Sequence, residues 1–132
     1  MRWHIHVDGA SSGNPGKSGA GIIVHDDLSN VILTRSIFLG EMTNNMAEYE
    51  ALLRALRIAV NDAVKEVTVY TDSQLVANQI NGTYKIKNTI LFQYVRKIQQ
   101  IISNFDHFTI NYIPREENRE ADKLAKNAIM KG

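Results

Sequence analysis

The chain contains no cysteine, so disulfide staples and thiolate metal ligands are both excluded. A cysteine-free chain fits a reducing compartment, and a cytoplasmic location is expected. No apolar run approaches the ~20 residues that cross a bilayer, so no membrane partner is expected. The opening Met1-Arg2-Trp3-His4 runs straight into a strand pattern, unlike a signal peptide. Neither sign of charge is in excess: 15 Lys and Arg against 14 Asp and Glu give a net +1. Any basic face must therefore be local. HExxH is missing, which leaves zinc-hydrolase chemistry of that kind without support. There is no repeat, low-complexity tract or linker. With 132 residues, one domain over residues 1–132 is expected, large enough to fold without staples. It is expected to be monomeric and to need no protein partner.

What is present is periodicity. Residues 3–8 alternate, with Trp3, Ile5 and Val7 on one face and His4, His6 and Asp8 on the other, a strand signal. Residues 9–19, rich in Gly and Ser, read as a loop. Two apolar runs, Ala20 to Asp26 and Val31 to Leu39, read as strands completing an antiparallel set. Thr43-Asn44-Asn45 offers capping side chains ahead of an amphipathic helix in which Ala51, Leu52, Ala55 and Ala59 recur at helical spacing. Val67 to Tyr70 reads as a strand, Ser73 to Ile80 and Ile90 to Ile102 as helices, Phe108 to Ile113 as a strand and Asn118 to Met130 as a helix. The only prolines, Pro15 and Pro114, fall where the pattern changes. Strands that first meander and then alternate with helices imply an α/β fold with a mixed sheet, its first three strands antiparallel and helices on its faces.

Position on this fold singles out four acids. Asp8 and Asp72 close strand patterns, where α/β sheets bind ligands. Glu48 lies one turn before Leu52, on the inward face of its helix, and Asp122 lies early in the last helix beside Ala121 and Ala125. Each has an ordinary explanation alone; Asp72 could simply cap the helix that follows. Four carboxylates converging from two strands and two helices is harder to explain structurally, because grouped like charges destabilise one another unless a cation neutralises them. Oxygen ligands of this kind favour Mg²⁺ or Mn²⁺.

The segments VDGASSGNPG, TNNMAEYEAL, YTDSQLV and EENREADKLA, taken together and in this order, resemble the ribonuclease H type 1 family over nearly the whole chain. The resemblance implies a five-stranded mixed sheet with helices on both faces. It implies cleavage of the RNA strand of an RNA–DNA hybrid, leaving 5′-phosphate and 3′-hydroxyl ends. Asp8, Glu48, Asp72 and Asp122 match the family's acids and are expected to hold two divalent ions, with Asp8 bridging. Asn14, Asn44, Asn45 and Gln74 match positions that contact the strands, and helix capping is the plain alternative for Asn44 and Asn45. Gly9, Ala10 and Ser11 would offer backbone groups beside the scissile phosphate, and Glu48 would also accept a hydrogen bond from a 2′-hydroxyl. Two rivals stand beside this reading: an inactive nucleic-acid-binding module of the same fold, and a nuclease that also cuts double-stranded RNA.

The chain departs from the family pattern twice. The loop Pro114-Arg115-Glu116-Glu117-Asn118 lacks the histidine that many members carry there to help product leave, and Glu117 or Glu116 is expected to take that role. The stretch Gly82 to Asn88 replaces a basic protrusion with only Lys85 and Lys87, so modest hybrid affinity is expected. Gly16-Lys17-Ser18 ends like a phosphate-binding loop, but the earlier glycine that motif requires is Ser11 here, and AGIIV follows as strand rather than helix. His4 and His6 invite a metal reading; alternating polar residues on a half-covered strand explain them more simply.

Overall fold

A computed structural model describes residues 1–82 and 85–132. Thr83 and Tyr84, part of the stretch read for the missing protrusion, lie outside the described residues. The elements run β1 (Arg2–Ser11), β2 (Gly16–His25), β3 (Val31–Met42), α1 (Asn44–Asn61), β4 (Glu66–Thr71), α2 (Gln74–Ile80), α3 (Thr89–Ile102), β5 (His107–Tyr112), a 3-10 turn Arg115–Glu117 and α4 (Arg119–Lys131). The sheet order is β3-β2-β1-β4-β5. β1–β2 and β2–β3 pair antiparallel, β1–β4 and β4–β5 parallel. The expected mixed sheet is therefore present, with its meander first.

Alternation along β1 drives the layering. Trp3, Ile5 and Val7 are buried in the core with Tyr49, Leu52 and Leu56 of α1, Val67 and Val69 of β4, and Ile98 of α3. Burying such side chains stabilises by roughly 1.5–3 kcal/mol each. The opposite face of β1 and β2 is covered by α4, which can approach closely only because small residues meet there. A side chain at Gly21 would collide with the backbone carbonyl of Ala121, and Asp8 pairs with Gly21 across the β1–β2 ladder. The close approach of α4 thus brings Asp122, next to Ala121, over Asp8.

One expectation is corrected. Residues 9–19 are not a loop. β1 continues to Ser11 and β2 begins at Gly16, leaving a four-residue turn. Small residues imitate a turn here but serve packing. A side chain at Gly9 would collide with the backbone carbonyl of Ala47 in α1, so glycine at this strand position admits the helix.

Gly21→Ala is expected to lower the unfolding free energy by ~1–3 kcal/mol, the usual cost of forcing atoms into packed space, and urea denaturation measures it. An unchanged midpoint would show that α4 is not clamped at this point.

Candidate active site

The parallel β1–β4 ladder ends at the pair Val7–Thr71. Asp8 and Asp72 are the next residues, so backbone pairing alone sets them side by side. Glu48 enters from the first turns of α1 and accepts a hydrogen bond from the Gly9 N–H at 2.6 Å. Asp8, Glu48 and Asp72 each bring a carboxylate oxygen within 4.8 Å of the other two, and no other group of three His or acidic residues among the described residues does so. Asp8 is 4% exposed and Glu48 8%. Asp122 adjoins Asp8 but is held outward by Lys126, 3.0 Å away, and Arg115, 3.7 Å away.

Local sequence explains why these acids stay free of other duties. Thr43, not Asn44 or Asn45, caps α1 by accepting from the Met46 N–H at 3.2 Å. Ser73, not Asp72, caps α2 through the Val76 N–H. Glu50 is buried too, but it is satisfied by Arg54 at 2.7 Å and by the Tyr94 hydroxyl at 2.9 Å. Glu48, with no cation in contact, is of a different kind.

The electrostatics follow. Burial, then the carboxylates of Glu48 and Asp72, then a hydrogen bond to Asp122 push Asp8 up to about 10. Burial pushes Glu48 up to about 8 against the opposing Gly9 N–H. For Asp122, burial acts upward, but its hydrogen bond with Asp8 and the charges of Lys126 and Arg115 prevail and hold it below the usual carboxylate range. A cluster that holds protons at neutral pH and consists of hard oxygen donors fits a divalent cation.

An open cleft above the cluster is lined by Asp8, Gly9, Ala10, Ser11, Asn44, Asn45, Glu48, Asp72, Gln74, Arg115, Asp122 and Lys126, among others. Asn14 stands outside this lining. Its side-chain oxygen accepts the Asn44 N–H at 3.0 Å, so it steadies the start of α1.

The chain matches the family described as reverse transcriptase-like over residues 6–128. It is 37% identical over 127 residues to ribonuclease HI of Rickettsia prowazekii, covering 96% of this chain and 73% of that protein. The chain belongs to the ribonuclease H family.

That family is one of hydrolases that depend on divalent metal. The crystal structure of RNase H1 from Halobacterium salinarum superposes with a TM-score of 0.97 at 32% identity, covering 100% of both chains. LC11-RNase H1, solved in complex with an RNA/DNA hybrid, gives a TM-score of 0.91 at 39% identity, covering 98% of this chain and 97% of that one. The chain spans 36% of the length of the mycobacterial relatives it matches and 64% of the Halobacterium salinarum ribonuclease HI. No described helix is long and apolar enough to cross a membrane.

Within this ribonuclease H framework the loop after Pro114 divides between two cavities. Glu116 and Glu117 do not line the carboxylate cleft; they line a separate cavity with His6, His25 and Glu120. Arg115, one position earlier on the same 3-10 turn, faces the acids instead. The sequence pattern singled out neither Arg115 nor Lys126 as a site residue. The signal was there for Lys126, which sits one helical turn after Asp122. The histidines of β1 follow the simple reading. His4 contacts Asp27 at 2.8 Å, and His6 stacks on Tyr70 with ring centroids 4.7 Å apart.

Because the folded state binds the Asp8 proton more tightly than the unfolded chain, the metal-free protein loses stability as pH rises from about 4 towards about 10. Asp8→Asn is therefore expected to be more stable than the parent at pH 8 in chelator, by at least ~1.4 kcal/mol, the equivalent of one pKa unit. The advantage should vanish near pH 4. Thermal melts across this range measure it, and a destabilised variant at pH 8 would contradict the electrostatic account.

Proposed function

We propose that this chain is an endoribonuclease that hydrolyses the RNA strand of RNA–DNA hybrids, leaving 5′-phosphate and 3′-hydroxyl ends. The reading rests above all on the Asp8–Glu48–Asp72 cluster at the floor of an open cleft. The hybrid bound by LC11-RNase H1 supports the choice of substrate.

Asp8, Glu48, Asp72 and Asp122 would hold two divalent ions, Mg²⁺ or Mn²⁺. Bound there, the ions supply a water of lowered pKa and neutralise charge on the leaving 3′ oxygen. Asp8, central in the cluster and 4% exposed, would be the ligand shared by the ions, and holding them would require its carboxylate form. Glu48 completes one side of the cluster, held in place by the Gly9 N–H. It also accepts a hydrogen bond from a 2′-hydroxyl, the group that separates RNA from DNA. Asp122 completes the other side. Gly9 therefore acts through Glu48, while Ala10 and Ser11 lie along the strand beside the scissile phosphate. Asn44, Asn45 and Gln74, not committed to capping, contact the nucleic-acid strands from the cleft rim, and Asn14 holds that rim through Asn44. Arg115 and Lys126 offer positive charge to a phosphate at the Asp122 edge.

The test is incubation with labelled RNA–DNA hybrid, double-stranded RNA and double-stranded DNA, in Mg²⁺, Mn²⁺ or chelator, with the parent and Asp8→Asn. Hybrid is expected to be cut only with metal. Asp8→Asn is expected to lose roughly 100-fold or more, since even residues that merely orient metal ligands cost 10–100-fold. Cleavage that survives Asp8→Asn would refute the site. Binding without cleavage in any metal would leave a binding module, and cutting of double-stranded RNA would widen the substrate class.

A further inference from the structure

We propose that Asn118 is a positioning residue that orients Asp72 as a metal ligand. The inference rests on the metal-dependent reading above and deepens it. Asn118 is 1% exposed and precedes α4, the usual place for a capping side chain. Yet its side chain makes no cap hydrogen bond. Instead its amide nitrogen donates to the Val7 carbonyl at 2.9 Å and to Oδ2 of Asp72 at 3.2 Å. The Val7 carbonyl can only accept, which fixes the way the amide lies: reversed, its oxygen would face that carbonyl.

This one residue adjoins three of the four acids. Val7 immediately precedes Asp8 on β1. Asp72 takes the second amide hydrogen. The Asn118 backbone carbonyl accepts the Asp122 N–H at 3.1 Å, so the residue also begins the turn that carries Asp122. A donor on Oδ2 stops the Asp72 carboxylate from rotating away from Asp8 and Glu48. The other oxygen is then left free for a cation. Partners that orient metal ligands typically contribute 10–100-fold in metal affinity or activity.

Two variants test this. Asn118→Ala removes the donor, and Asn118→Leu removes it while keeping the buried volume. For each, Mn²⁺ binding to the free protein is measured by calorimetry, alongside the Mg²⁺ midpoint for hybrid cleavage, KM for hybrid, and melting in chelator. Mn²⁺ binding is expected to weaken about tenfold or more, with the Mg²⁺ midpoint shifting in parallel. KM at saturating Mg²⁺ should stay within about threefold, well short of that metal effect. Should Asn118→Ala fold too weakly to assay, Asn118→Leu carries the same expectation. A lower melting temperature with parental Mn²⁺ affinity and Mg²⁺ midpoint would make Asn118 merely structural and overturn the proposal. If the parent itself neither binds Mn²⁺ nor cuts hybrid, the functional reading fails instead, and the two failures are distinguishable.

Discussion

Where the parallel ladder between β1 and β4 stops, Asp8 and Asp72 are left on neighbouring strands, about one strand spacing of ~4.8 Å apart. Neither can withdraw without disturbing the sheet, whose core of Ile5, Val7, Val67 and Val69 locks the register. Glu48 then arrives from α1, and α4 covers the sheet beside Asp8. The outcome is a set of carboxyl groups confined by packing. Held this way without a cation, the cluster answers by keeping protons, which is why Asp8 and Glu48 lie well above ordinary carboxylates.

The cluster is not symmetrical. At the Asp8 end burial dominates, and the carboxyl holds its proton. At the Asp122 end Lys126 and Arg115 stabilise the charged form. Between them, backbone and amide hydrogens from Gly9 and Asn118 fix the directions of Glu48 and Asp72. The glycines serve the same end by different means. Gly9 admits α1 and Gly21 admits α4, and the two helices deliver Glu48 and Asp122. Much of what looks like loop composition in this chain is clearance for helices bearing acids.

The legible part of this arrangement was whatever depends on short-range periodicity. Alternation in residues 3–8 exposed the face carrying Asp8, the apolar run before Asp72 marked a strand end, and helical spacing turned Glu48 inward. What stayed hidden depends on contacts between distant segments. The strand character of residues 9–11 and 16–19 comes from cross-strand pairing, which overrides their turn-like composition. Which side chain caps a helix, Thr43 rather than Asn44 and Ser73 rather than Asp72, is a matter of one residue, below the precision of pattern reading. The same one-residue margin on a 3-10 turn decides that Arg115 meets the acids while Glu116 and Glu117 do not. The bond from Asn118 to Val7 joins residues 111 positions apart, and no local pattern announces it.

Protons held by a crowded carboxylate cluster must leave when a cation takes their place. Calorimetric titration with Mn²⁺ at pH 7, repeated in two buffers of different ionisation enthalpy, measures that release directly. The account predicts binding accompanied by net proton release, with both lost in Asp8→Asn. Absence of binding, or binding with no proton release, would contradict it.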